Sequence, residues 1–82
     1  MDQNSPNPFR SQTRICYFVP TTAGNATIEV ASLSGSLLAV YPVETGEGVL
    51  TLPANSLSEG VYFYSLTMDG AKVATQRMVV SK

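Results

Sequence analysis

The dipeptide Asp69-Gly70 lies between two runs rich in β-branched and aromatic residues, VYFYSLTM at 61–68 and AKVATQRMVV at 71–80. A type I′ hairpin turn needs positive φ at both central residues, and Asp-Gly is among the few pairs that meet the demand. The turn dictates a register. With Met68 opposite Ala71, Leu66 faces Val73, Tyr64 faces Thr75 and Tyr62 faces Arg77. Near the turn, Leu66 and Val73 form the apolar face; at the far end Val61, Phe63, Met78 and Val80 load the opposite face. One half-buried hairpin cannot satisfy both ends. A β-bulge between Thr75 and Met78 is expected to shift the phase, the alternative being that both faces are covered at the far end.

The rest of the chain repeats this grammar of short strands and turns. In TRICYFV (13–19), Ile15, Tyr17 and Val19 share one face while Arg14, Cys16 and Phe18 share the other, a period of two that Pro20 ends. ATIEVASL (26–33) places Ile28 and Val30 opposite Glu29, a tight turn follows at Ser34 and Gly35, and SLLAVY (36–41) reads as a strand stopped by Pro42. ETGEG reads as a flexible loop ahead of VLTLP (49–53), where Leu50 and Leu52 face one way. ANSLSEG (54–60) has room for one helical turn, since Ser56 and Glu59 have capping-box spacing, with Leu57 as a core plug. About seven short strands with turns every 8–12 residues predict an all-β fold, a small antiparallel immunoglobulin-like β-sandwich. A small barrel is the alternative.

Composition narrows the chemistry. An 82-residue chain with 44% hydrophobic residues is one small domain able to build a core. Five Lys and Arg against six Asp and Glu leave no basic stripe for nucleic acid or membrane phosphates. No apolar run approaches the length of a membrane span, and Met1, followed directly by polar residues, is expected to be a translation start on a fragment of a longer protein. The single Cys16 excludes an internal disulfide, and without a histidine it has no base to make it a nucleophile. It is expected to be a small buried hydrophobe. Glu44 and Glu47 flank a glycine loop and read as solvated side chains rather than calcium ligands, and the Asn25-Ala26-Thr27 sequon as a chance match. With no cofactor, metal or catalytic constellation in view, the chain is expected not to be an enzyme.

Two features remain. GVYFY (60–64) is the densest aromatic patch, but period two sends Tyr62 and Tyr64 one way and Phe63 the other, which suits core packing better than a flat sugar-stacking platform. Gly60 ahead of it is expected to supply a conformation that a Cβ would block. NSPNPF (4–9) opens the chain: Pro6 and Pro8 push Ser5 and Asn7 toward extended conformations, giving a stiff lead-in that ends with Phe9 docked across an open end of the sandwich. Prolines also deny this edge to another strand. PNPF thus reads as a clamp tying a linker to the fold.

These pieces in order, PNPF, then TRICYFVP, IEVASLSG and LSEGVYFYSLTMDGAKVATQRMVVSK to the terminal lysine, resemble the C-terminal sorting domain of type IX secretion cargo, a family of the Bacteroidota. The resemblance spans residues 4–82, with residues 1–3 as a linker remnant, and rests on Pro6, Asn7, Pro8, Phe9, Gly35, Gly60, Tyr62, Gly70, Val79, Val80 and Lys82. Where the family often has an aspartate before the turn and a basic residue after its glycine, this chain has Ser32 and Ser36. The resemblance implies a non-catalytic address label at the end of an exported cargo protein. Such a label is recognised in the periplasm by the type IX machinery, carried across the outer membrane to the cell surface or beyond, and removed by a surface sortase cutting just ahead of it. The expected recognition element is the last strand, Met78, Val79, Val80, Ser81 and Lys82, presenting its edge or its end to a translocon or shuttle component. Exposed edge strands also give the isolated domain reason to self-associate. The competing readings are a carbohydrate-binding or adhesive sandwich and a structural spacer.

Overall fold

The computed structural model describes residues 1–55 and 57–82. Its strands are β1 (Gln12–Val19), β2 (Ala26–Ser32), β3 (Leu37–Val43), β4 (Gly46–Pro53), β5 (Gly60–Met68) and β6 (Ala71–Val80). They form two antiparallel sheets, β1-β4 and β3-β2-β5-β6. The fold is the expected all-β sandwich, with six strands among the described residues rather than about seven.

Alternation explains the core. Thr13, Ile15 and Val19 of β1 and Leu52 of β4 meet Ile28, Val30, Tyr64, Leu66, Met78 and Val80 of the larger sheet, all buried. Phe9 and Ala54 enter from the connections. Arg14, Cys16 and Phe18 take the other face of β1 and are exposed. Cys16 is therefore not the buried hydrophobe that its residue type suggests. Strand parity overrides residue preference here, because no third layer covers the outside of the two-stranded sheet.

The hairpin corrects its own expected register. Asp69 and Gly70 have φ of 51° and 85°, as a type I′ turn requires. Met68 pairs with Ala71 and Thr67 with Lys72, but Leu66 then pairs with Ala74, Tyr64 with Gln76 and Tyr62 with Met78. The bulge exists, close to the turn rather than between Thr75 and Met78. Val73 is the extra residue, and it is 54% exposed. Displacing it early aligns Tyr62, Tyr64 and Leu66 with Met78 and Val80 on one inward face, which removes the conflict between the two ends of the hairpin. The Asp69 carboxylate also accepts the Gly24 and Asn25 N–H groups at 3.0 and 2.9 Å, tying the hairpin tip to the β1–β2 turn.

Proline positions mark the edges. Pro42 does not stop β3, which runs on to Val43 and pairs only with β2. An edge strand tolerates proline because the missing N–H falls on the unpaired side. The glycine loop is shorter than expected: only Glu44 and Thr45 separate β3 from β4, and they carry the chain from one sheet to the other. Within β4, Gly48 pairs with Tyr17, and a Cβ there would collide with the phenol end of the Tyr17 side chain. The helical turn expected over 54–60 rests on Ser56, outside the described residues; Leu57 is half-buried against the core.

Thr67 Oγ1 is the buried side-chain oxygen without a hydrogen-bond partner among the described residues, and it sits at the bulge. An orphaned buried hydroxyl costs free energy that an isosteric methyl does not. Thr67→Val is expected to leave stability unchanged or raise it by up to about 1 kcal/mol in urea unfolding; a loss of that size would show that the hydroxyl is satisfied in solution.

Candidate functional site

Residues 2–9 form a strap in the gap between the two sheets. On one side they pair with β1: Ser5 and Arg14 exchange two backbone hydrogen bonds of 2.9 Å, and Asp2 N–H donates to Cys16 C=O at 2.9 Å. On the other they pair with β6. Phe9 N–H donates to Val79 C=O at 3.0 Å, Ser81 N–H donates to Phe9 C=O at 2.8 Å, and Phe9 forms a parallel bridge with Val80. The Asn7 side-chain carbonyl accepts the Val79 N–H at 2.9 Å, and the Gln3 amide donates to Arg77 C=O at 2.6 Å. The strap therefore joins the outer edge of one sheet to the outer edge of the other.

Phe9 docks as expected, only 2% exposed. The segment ahead of it is not a straight extended lead-in. It bends over Pro6, Asn7 and Pro8, with both X-Pro bonds cis. The bend lets a short segment reach both sheets, and Pro6, Asn7 and Pro8 stay exposed on its outside.

A polar cluster that the sequence reading missed holds the bend. Asn4 is 3% exposed and Thr13 fully buried. The Asn4 side-chain amide donates to Thr13 Oγ1 at 3.0 Å and to Pro6 C=O at 3.2 Å, and Thr13 Oγ1 donates to the same carbonyl at 2.9 Å. The Tyr64 hydroxyl accepts the Asn4 N–H at 2.7 Å and donates to Asp2 C=O at 2.9 Å. Tyr64 thus has a fully buried ring whose hydroxyl ties the strap to the middle of the larger sheet. Burial raises its pKa; the Asn4 hydrogen bond opposes the rise and the Asp2 charge adds to it. The available signal was parity: Thr13 is a polar residue on the inward face of β1, and a buried hydroxyl calls for a partner.

The sequence-predicted residues divide clearly. Met78 and Val80 are fully buried core residues, Val79 is half-buried, and Ser81 and Lys82 are exposed. The edge of β6 is not free at this end, because the strap occupies the Val79 and Ser81 backbone groups; Lys82 N–H is held by the Glu59 carboxylate at 3.0 Å. Gly60 has φ of 155° and pairs with Val80, while Tyr62 pairs with Met78 and donates its hydroxyl to Ser58 C=O at 2.6 Å. Ser32 pairs with Tyr62, which brings the β2–β3 turn and Gly35, with φ of 95°, to the same end of the sheet. There the Ser32 hydroxyl accepts the Ser36 N–H at 3.1 Å, a turn-closing role that an aspartate side chain also fills. Pro6, Asn7, Pro8, Phe9, Gly35, Gly60 and Tyr62 therefore converge with the end of β6, whereas Gly70 lies at the opposite end. Tyr62 and Tyr64 are spent on the core, so GVYFY offers no aromatic platform.

A family model described as "Secretion system C-terminal sorting domain" matches residues 5–81. No curated protein and no solved structure matches the chain.

Two measurements check the strap. Phe9→Ala is expected to cost about 3–5 kcal/mol in chemical unfolding, the range for losing a fully packed phenylalanine. Tyr64, with its raised pKa, holds its proton in the folded state after an unfolded tyrosine would release it. Its contribution is complete below about pH 10 and is lost as pH rises through the folded value. Melting curves from pH 7 to 11 are expected to fall at the alkaline end, and Tyr64→Phe to lessen that fall while lowering stability at pH 7.

Proposed function

We infer the role of this domain from a single premise: the chain belongs to the family of secretion-system C-terminal sorting domains, which its residues 5–81 match. It is a C-terminal signal of type IX secretion, an address carried by an attached cargo protein. The finer reading is ours. The domain is non-catalytic, is read while folded during passage through the periplasm, and is cut from its cargo by a sortase at the surface.

We propose that the secretion machinery reads the end of the sandwich where Gly35, Gly60, the strap and the exposed Ser81 and Lys82 meet. One observation carries this reading. The family-motif positions, scattered over the sequence from Pro6 to Lys82, gather at that end with the sole exception of Gly70. Antiparallel pairing brings Gly35, Gly60 and the end of β6 to one end, and the strap adds Pro6, Asn7, Pro8 and Phe9 to it. Strand addition to β6 does not serve here, since its edge is closed at Val79 and Ser81 by the strap. Recognition therefore falls to the outward side chains and backbone of the end itself, and Met78 and Val80 act from within by holding it in place.

Removing residues 79–82 would strip Val80 from the core and the partners of Phe9, confusing unfolding with loss of recognition. A cleaner test is Ser81→Asp combined with Lys82→Glu in a fluorescent reporter that carries the domain at its C-terminus and an inner-membrane export signal. The two side chains are exposed, so the melting temperature is expected to hold. Secretion by a type IX host is expected to fall roughly tenfold, the size of effect a reversed contact charge produces. Normal secretion of the folded variant would move the recognition surface elsewhere.

A further inference from the structure

Backbone groups along β6 alternate between its two sides. The Arg77 C=O, the Val79 N–H and C=O and the Ser81 N–H turn toward the strap, where they meet Gln3, Asn7 and Phe9. Met78 and Val80 turn toward β5, in register with Tyr62 and Gly60. The same parity sends the Lys82 N–H to the β5 side, but the ladder has ended there, with Gly60 opposite Val80 as its last pair. The Ser58 carbonyl, next in line, accepts the Tyr62 hydroxyl at 2.6 Å. The Glu59 side chain takes its place: its carboxylate accepts the Lys82 N–H at 3.0 Å. Residues past the last strand fray unless they are tied down. Here the two amides that follow β6 are tied to different elements, Ser81 to the strap and Lys82 to the β4–β5 connection.

We propose that Glu59 is a positioning residue for recognition. By standing in for a ladder acceptor, it carries the line of β6 two residues past the sheet and fixes Ser81 and Lys82 in the pose that the secretion machinery reads. The proposal rests on the proposed recognition end, to which the exposed Ser81 and Lys82 belong. Glu59 and Lys82 are both exposed, and a hydrogen bond in water adds little to the stability of the sandwich. Its worth lies in order: a segment held in one pose loses less freedom on binding than a frayed one. What recognition requires of Glu59 is its acceptor oxygen, not its charge.

Two substitutions separate position from charge. Glu59→Gln keeps a carbonyl oxygen at the same reach and removes the charge; Glu59→Ala removes the acceptor. Both are made in the domain and in the fluorescent reporter that carries it. In Glu59→Ala the Lys82 amide order parameter is expected to fall below about 0.6. The melting temperature is expected to stay within about 2 °C, and secretion to drop about threefold. Glu59→Gln is expected to keep both the ordered Lys82 amide and secretion. A Lys82 amide that stays ordered in Glu59→Ala overturns the proposal, as does normal secretion from a Glu59→Ala chain whose Lys82 has come loose. A melting temperature lowered by more than about 5 °C overturns it by assigning Glu59 to the fold. Lost secretion in Glu59→Gln with Lys82 still held overturns it too, since charge would then be what is read. The Ser81→Asp, Lys82→Glu variant run alongside keeps the two claims apart. If it secretes normally, the recognised end lies elsewhere and the proposal falls with that reading. If it fails to secrete while Glu59→Ala secretes normally, only the role of Glu59 is lost.

Discussion

The hydrogen bonds of residues 2–9 to β1 on one side and β6 on the other couple two sheets that would otherwise touch only through their core. A two-stranded sheet is marginal alone in water, and β1-β4 has the further burden that its strands are far apart in sequence. Their pairing closes a long loop before any contact offsets the entropy. The strap changes that balance. It places a fully packed phenylalanine into the core, satisfies the outer edge of β1, and caps the end of β6. The buried Asn4, Thr13 and Tyr64 cluster sets its path, because each of these polar groups depends on another for its hydrogen bonds.

Edge management follows from the same arrangement. A six-stranded open sandwich has four edges, each a template for unwanted pairing. The strap covers β1 and the end of β6. Pro42 interrupts the backbone donors of β3, and Pro53 closes the end of β4. Among the described residues, the outer edges of β4 and β3, the Phe18 end of β1 and the first half of β6 have no strand partner.

Much of this was legible in the sequence. The alternation in β1, the Asp69-Gly70 turn, and Phe9 as a plug all follow from side-chain period and turn chemistry. The register of the last hairpin was half legible: the mismatch of apolar faces demanded a bulge, but nothing in the local residues located it. The core did, by favouring the site that puts Tyr62, Tyr64, Met78 and Val80 on one side. Cys16 was misjudged because residue-type preference was weighed above the parity of its own strand. The strap's double pairing was invisible, since single backbone bridges leave no periodic trace and depend on where two distant edges come to lie.

For the sorting role, this architecture builds residues 2–9 into the fold rather than leaving them a loose tether, and Phe9 at the far end of the strap meets the end of the final strand. The most direct test of that account is thermal unfolding of the chain with residues 1–9 removed, beside the full chain. Loss of a cooperative transition, or a fall of more than about 15 °C for a domain this small, is the predicted result. A truncated chain that melts cooperatively within about 5 °C of the full one would contradict it, showing that the sandwich stands without its strap.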